Sequence, residues 1–283
     1  MIGSPESRRA LRRYAQDPMA VLGAGIVLVL VLTAILADRV APFPEHAGAF
    51  VDFANANRPP DATYLLGTDG IGRDVLSRII FGYRTSLVLG LTVLGIAVPL
   101  GTAAGLLGGY AGGLLEAVMM RITDVFLALP SLVLAMAIVG LFRPSQTLAM
   151  AAVAAVWWPW YARLVHGMVR SIRLEGYVVS AQLIGASALR IMAGEILPNC
   201  APTILTKFSL DMGLVILLGA SLSFLGLGAP APVPDLGTMV ADGANYLPDQ
   251  WWLSVTAGGA IFLAVLGFNL VGDGLRDVFD TTG

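Results

Sequence analysis

The chain has 283 residues, 57% of them hydrophobic and 13% charged, with a formal net charge of −2. A soluble globular domain carries about 25% charged residues, so the composition excludes an ordinary water-soluble fold and points to an integral membrane protein. The near-neutral total offers nothing to attract nucleic acid.

Scarce residue types exclude several chemistries. Cys200 is the only cysteine, so there is no intrachain disulfide and no CxxC motif. His46 and His166 are the only histidines and lie far apart, so a two-His metal motif is absent. Lys207 is the only lysine and is followed by Phe208, so no Gly-Lys-Ser/Thr phosphate loop exists. We therefore expect no catalytic residue, no metal site and no cofactor bound by this chain. Work driven by ATP would need another chain to hydrolyse it.

An uncharged apolar run of about 20 residues crosses the hydrocarbon core as a helix. Residues 19–37 form the first such run, and its apolar part exceeds the 7–15 residues usual for a signal peptide, which favours a retained anchor. Residues 86–107 form the second, closed by the glycines from Gly108 to Gly113. The third is 125–141, extended by a turn before Asp124. The fourth is 147–162, running on past Arg163. The fifth is 208–227, interrupted only by Asp211, and the sixth is 251–272.

Arg8, Arg9, Arg12 and Arg13 precede the first span and belong in the cytoplasm. Six spans then place both termini inside, with eleven of the 17 basic residues in cytoplasmic segments and six outside. Trp251 and Trp252 suit an interfacial belt at the start of the last span.

The segments between spans carry more detail. In the long external loop, residues 38–85, Ile71, Val75, Ile79 and Leu76, Ile80 recur at helical spacing, and Asp74 and Arg78 form an i,i+4 acid–base pair. The pattern predicts an interfacial amphipathic helix leading into the second span; a solvated pre-helix has the same spacing. Residues 163–201 form a cytoplasmic loop too polar to span. It is predicted as two short helices around a turn near Gly185, ended by Gly194 and Pro198. A surface for docking a partner and a hairpin lying on the membrane both fit it. Residues 228–250 form a proline-rich external loop with a short helix around Met239, and 273–283 a cytoplasmic tail.

Within the spans, Gly101 and Gly105 form a GxxxG suited to close helix packing. Lys207 and Asp211 lie one turn apart, as a structural bridge or as a pathway charge, the structural reading being preferred. Asp124 with Arg121 poses the same choice. His166 is expected to face the cytoplasmic surface.

Three stretches then resemble a known family. Gly67, Thr68, Asp69 with Gly72, Arg73, Asp74, Val75, Leu76, Ser77, Arg78 resembles the segment before the second span in dipeptide/oligopeptide ABC importer permeases of the OppC/DppC-like kind. These belong to the binding-protein-dependent transport inner membrane component family. Residues 175–187, with 196–199, are similar to the EAA loop of bacterial ABC import permeases, although Val179, Ser180 and Ala181 stand where Glu-Ala-Ala is usual and Glu195 where an apolar residue is usual. Residues 269–277 look like that subunit's C-terminal end.

The resemblance implies an all-α integral membrane protein with six transmembrane helices, the type I importer permease (MetI-like) fold, and both termini inside. Residues 1–66 would be an N-terminal segment with the first span, and 67–283 the permease core. It implies a bacterial inner-membrane protein surrounded by lipid and paired with a homologous second permease subunit. Partner ATPase subunits would hold ATP and Mg, and an extracytoplasmic peptide-binding protein or lipoprotein would deliver cargo. ATPase coupling would fall to Tyr177, Ser180, Ala181, Gly185, Ala186, Ser187, Leu189, Arg190, Leu197 and Pro198, with a coupling helix near 185–192. A proton-coupled secondary transporter using Asp124, Asp211 or His166 is the rival reading; nickel, glutathione or another small solute is the rival cargo.

Overall fold

The computed structural model describes residues 13–279; Arg8, Arg9 and Arg12, and the tail beyond Phe279, lie outside the described residues. Among the described residues the regular elements are all helical, with one isolated bridge between Thr68 and Asp74. Helix α1 (Pro18–Ile35) starts where Asp17 accepts the Met19 N–H and Pro18 needs no partner. After the short α2 (Ala37–Val40) and an irregular segment comes α3 (Val75–Ala111), a single helix of 37 residues that stops at Gly112.

The third expected span is not one straight helix. Helices α4 (Gly113–Leu127) and α5 (Ser131–Gly140) meet at 86°. Pro130 sits at the break; it has no N–H to give and pushes the residue before it out of helical geometry. Helix α6 (Gln146–Ile172) runs well past Arg163, as expected.

Helix α7 (Gly176–Leu183) and helix α8 (Ala188–Ile191) flank Gly185. From α8 the chain passes through a π-helical turn, Met192–Ile196, directly into α9 (Leu197–Phe224). Gly194 and Pro198 therefore do not end the loop. Pro198 stands in the first turn of α9, where a missing N–H costs little. Helix α10 (Leu236–Ala244) contains Met239, and α11 (Trp251–Phe279) closes the fold.

Five helices are long and apolar enough to cross a membrane, or six if the bent pair counts as one span. Side-chain neighbours decide the matter. Gly101 and Gly105 of α3 face Tyr161 and Ala162–His166 of α6, so these two helices run parallel. The chain between them must return from one end of the bundle to the other, which makes α4 and α5 one broken traverse. Helix α9 runs antiparallel to α6, since Asp211 meets Trp157 while Lys207 lies over Tyr161. Helix α11 runs antiparallel to α9, since Ser209 meets Phe268 while Gly213 meets Val265, and to α1, since Gly23 meets Leu270 while Gly267 meets Ile26. Both ends of the described chain thus lie at one end of the bundle.

Small residues set these packings. A Cβ on Gly23 would stand 2.5 Å from Leu270 Cβ, and one on Gly105 2.7 Å from the Ala162 carbonyl oxygen. Without a hydrophobic drive between helices in lipid, such close backbone approach holds the bundle together. The outer faces are the greasy ones: Leu22, Leu28, Val29, Leu32 and Ile35 of α1 are exposed while Ala20, Gly23 and Ala34 are buried.

Candidate functional site

Three regions hold the residues singled out by sequence. The first caps the end of the bundle where α3 begins. Residues 75–85 are not a separate interfacial helix. They are the first turns of α3, and Val75, Ile79 and Tyr83 pack against Leu236, Trp252 and Leu253 of α10 and α11 rather than against lipid. Asp74 and Arg78 do not pair either. Asp74 is the N-cap, its carboxylate accepting the Ser77 N–H at 2.7 Å. Arg78 donates to the carbonyls of His46 and Pro232 and lies 3.8 Å from Asp69. Asp69 pairs instead with Arg73, at 2.7 Å, and at the ends of the loop Asp38 pairs with Arg84, also at 2.7 Å.

The remaining motif residues complete a clasp. Thr68 Oγ1 donates to the Asn55 carbonyl and accepts from the Arg58 N–H. Ser77 Oγ accepts the Phe43 N–H. Gly67 lies against Trp252, where a Cβ would stand 2.7 Å from the indole nitrogen. Gly72 has φ +86° and runs beside the Asp52 carbonyl, so no L side chain fits there. Trp252 is consequently buried as part of the clasp; only Trp251 keeps the exposure of an interfacial residue. A cavity of about 250 Å³ opens over Asp69, Arg73, Arg78 and Asp242.

Sequence reasoning missed His46. Its ring is buried, stacked on Phe43 and Phe50, and its Nδ1 accepts the Asp74 N–H at 2.8 Å. That bond requires the neutral imidazole. Burial holds the His46 pKa below the ordinary 6.5, outweighing the carboxylates of Glu45, Asp74, Asp69 and Asp52, which pull it upward. Below pH 6.5 the opened clasp then binds a proton that the closed one resists, so clasp stability falls as the pH drops through that window. We predict faster hydrogen exchange at Asp74, after correction for intrinsic rates, between pH 7.5 and 5.5. In His46→Asn, whose side-chain oxygen keeps an acceptor and cannot titrate, that acceleration is expected to vanish.

The second region is the projecting segment between α6 and α9. Gly185 has φ +81° with open space around it, the left-handed turn that only glycine adopts freely. Ser187 caps α8. Asn199 donates to the Tyr177 hydroxyl, tying α7 to the start of α9. Ala181, Ala186 and Leu197 face the main core, while Gly185, Ser187, Leu189, Arg190 and Pro198 are exposed. Ser180 bonds only back to the Gly176 carbonyl. Leu183 and Ile184, not singled out by sequence, are 82% and 85% exposed. Leu174 and Leu189 of the same segment are exposed as well, so the tip is rich in uncovered apolar side chains.

The third region follows one face of α9. Three clefts of about 540, 390 and 320 Å³ share residues in succession: Lys207, Asp211 and Leu214 join the first two, Leu217 and Ser221 the last two. They form a continuous groove from Pro202 to Phe224, about 33 Å long at the helical rise, which matches the hydrocarbon thickness of a bilayer. Where the first two clefts join, Lys207 Nζ donates to Asp211 at 3.0 Å. Trp157 Nε1 donates to the other carboxylate oxygen at 2.9 Å. The Trp157 contact, across 54 residues of sequence, has no local signature.

The other charges belong elsewhere. Asp124 pairs with Arg163, not with Arg121. His166 is buried rather than facing out, 2.7 Å from Glu116 of α4, which Arg170 also approaches. Among the described residues no group of three or more His, Cys, Asp or Glu side chains could hold a metal ion.

Residues 97–282 match the model of the family described as binding-protein-dependent transport system inner membrane component. The chain belongs to this family. Residues 7–60 match the N-terminal transmembrane domain of oligopeptide transport permease C. The dipeptide transport system permease protein DppC of Haemophilus influenzae is 38% identical, over 94% of this chain and 92% of that protein. The di/tripeptide transport system permease protein DppC of Pseudomonas aeruginosa is 40% identical, over 94% and 89%. The glutathione transport system permease protein GsiD of Pectobacterium atrosepticum is 37% identical, over 96% and 90%.

Membership of the binding-protein-dependent family makes this chain a multi-pass inner-membrane permease subunit of an ABC importer with the MetI-like fold. It sets aside the proton-coupled carrier. Such a permease works with ATPase and binding-protein partners, and it is a transport component rather than an enzyme.

Proposed function

We propose that this chain is one of two homologous transmembrane subunits of an ATP-driven importer of dipeptides and oligopeptides. The observation that carries the cargo is the identity of the relatives, since the glutathione permease of Pectobacterium atrosepticum aligns over as much of the chain but at 37%. Permeases named for dipeptides and di/tripeptides align over nearly the whole chain at 38–40% identity. The clasp end faces the binding protein outside, and the apolar tip around Gly185 faces the cytoplasm, an orientation supported by the excess of basic residues at the tip end. Separate ATPase subunits hold ATP and Mg and dock on that tip. Their closure moves the tip, and the packed helices carry the motion to the groove as a rigid body.

The test is reconstitution. The tagged chain, purified in mild detergent with its associated subunits, is expected to bring a second permease and a P-loop ATPase. Vesicles holding this complex, with ATP inside and the binding protein outside, are expected to accumulate a labelled dipeptide, and ADP is expected to abolish uptake. Uptake of glutathione but not of any dipeptide would overturn the cargo and keep the importer. Uptake that follows a proton gradient without ATP would overturn both.

A further inference from the structure

A peptide crossing the groove brings a carboxylate against a wall that is mostly apolar. An unpaired carboxylate there is costly, and the groove holds one arrangement suited to relieve the cost. The Asp211 side chain is 3% exposed and has a donor on each oxygen. The Lys207 side chain is 26% exposed and spends one of its three N–H donors on Asp211, with no other acceptor among the described residues. Its ammonium lies 5.3 Å from the Tyr161 ring centre and 5.9 Å from that of Trp160, faces that favour a cation.

The pair lines both larger clefts. In the 540 Å³ cleft Arg276 joins it, so two cations stand against one carboxylate among the lining residues. In the 390 Å³ cleft the neighbours are Trp157, Trp160 and the hydroxyls of Ser131 and Ser221. An anion is therefore favoured at the junction, and its apolar body has aromatic and leucine walls to lie on.

We propose that Lys207 is a carboxylate-binding group of the groove. Its ammonium takes the C-terminal carboxylate of a peptide in transit. Asp211, pinned by Trp157, is the positioning residue that holds the Lys207 ammonium aimed along the wall. The bond to Asp211 is shared rather than given up, so the site binds weakly, as release on the far side requires. This inference rests on the peptide reading above.

The test compares L-alanyl-L-alanine with its C-terminal amide in vesicles carrying the complete importer. The binding protein has its own preference between the two, but that preference is common to all permease variants and cancels when their acid-to-amide uptake ratios are compared. The double variant Lys207→Met/Asp211→Asn removes both charges and leaves neither buried alone. Its ratio is expected to fall about tenfold, the size of one lost charge-assisted hydrogen bond, and Lys207→Arg is expected to retain most of the preference.

A second measurement needs no variant. Lys207 is the only lysine of the chain, so its reductive methylation can be followed by mass spectrometry of this subunit alone. The free acid is expected to slow methylation, and the amide is not. An unchanged uptake ratio in a transporting complex, or equal protection by acid and amide, overturns this inference alone. A wild-type complex that moves neither probe overturns the peptide reading and this inference together.

Discussion

Replacing Leu183 and Ile184 together by aspartate is expected to leave the chain in the membrane at wild-type abundance and to lower ATP-driven uptake at least tenfold. Both side chains are more than four-fifths exposed and touch no core, and exposed substitutions usually move stability by less than about 0.5 kcal/mol. In the assembled importer the same side chains form the apolar centre of the proposed docking patch. Removing a central apolar anchor costs about 2 kcal/mol or more, and a carboxylate trapped there adds its own desolvation cost. The measurement is co-purification of the ATPase with each variant, alongside uptake in vesicles. Full ATPase recovery with the double aspartate variant would remove the tip from the interface.

Gly185→Val probes the same tip by another route. The side chain meets nothing within 4 Å, but φ is +81°, a conformation that costs an L residue about 1–2 kcal/mol. Docking would weaken because the turn between α7 and α8 opens, while the apolar surface stays. A milder loss than in the aspartate variant is expected, and wild-type coupling would mean that the turn need not be preformed.

The spans were legible because a bilayer demands about 20 apolar residues and little else in a sequence produces them. The end of α3 was legible for the same kind of local reason, since the glycines from Gly108 to Gly113 close it at Gly112. The third span was legible but its break was not, because mean hydropathy is blind to Pro130, although the proline itself stood in view. Asp74 and Arg78 misled in a different way. The i,i+4 rule holds inside a helix, whereas Asp74 lies just before one, where its carboxylate turns to the free N–H of Ser77.

The parts of the candidate site that were not legible join distant segments. His46 meets Asp74 across 28 residues, Trp157 meets Asp211 across 54, and Trp252 meets Thr68 across 184. No spacing rule reaches so far. Lys207 and Asp211, one turn apart, were paired from sequence, but the groove that gives the pair a candidate role exists only once α5, α6 and α9 are assembled.

The bundle itself is expected to fail at Gly101 before it fails at any exposed leucine. A Cβ there would stand 2.5 Å from Tyr161 Cβ and press on the Trp158 carbonyl, neither of which can rotate away. Gly101→Val therefore forces α3 and α6 apart along their parallel contact, which also carries Gly105 and Gly109. Overpacking of this kind costs about 1–3 kcal/mol, and a backbone obstacle places it at the upper end. A loss of that size changes steady-state abundance several-fold. Gly95 supplies the control on the same helix, since a Cβ at Gly95 meets nothing within 4 Å. Gly95→Ala should hold or slightly raise stability, because alanine is the better helix former by about 1 kcal/mol. Membrane abundance and thermal midpoint of the two variants, side by side, decide the point. Equal behaviour would mean that the α3–α6 contact does not hold the bundle, and that the groove on α9 is shaped by other packings.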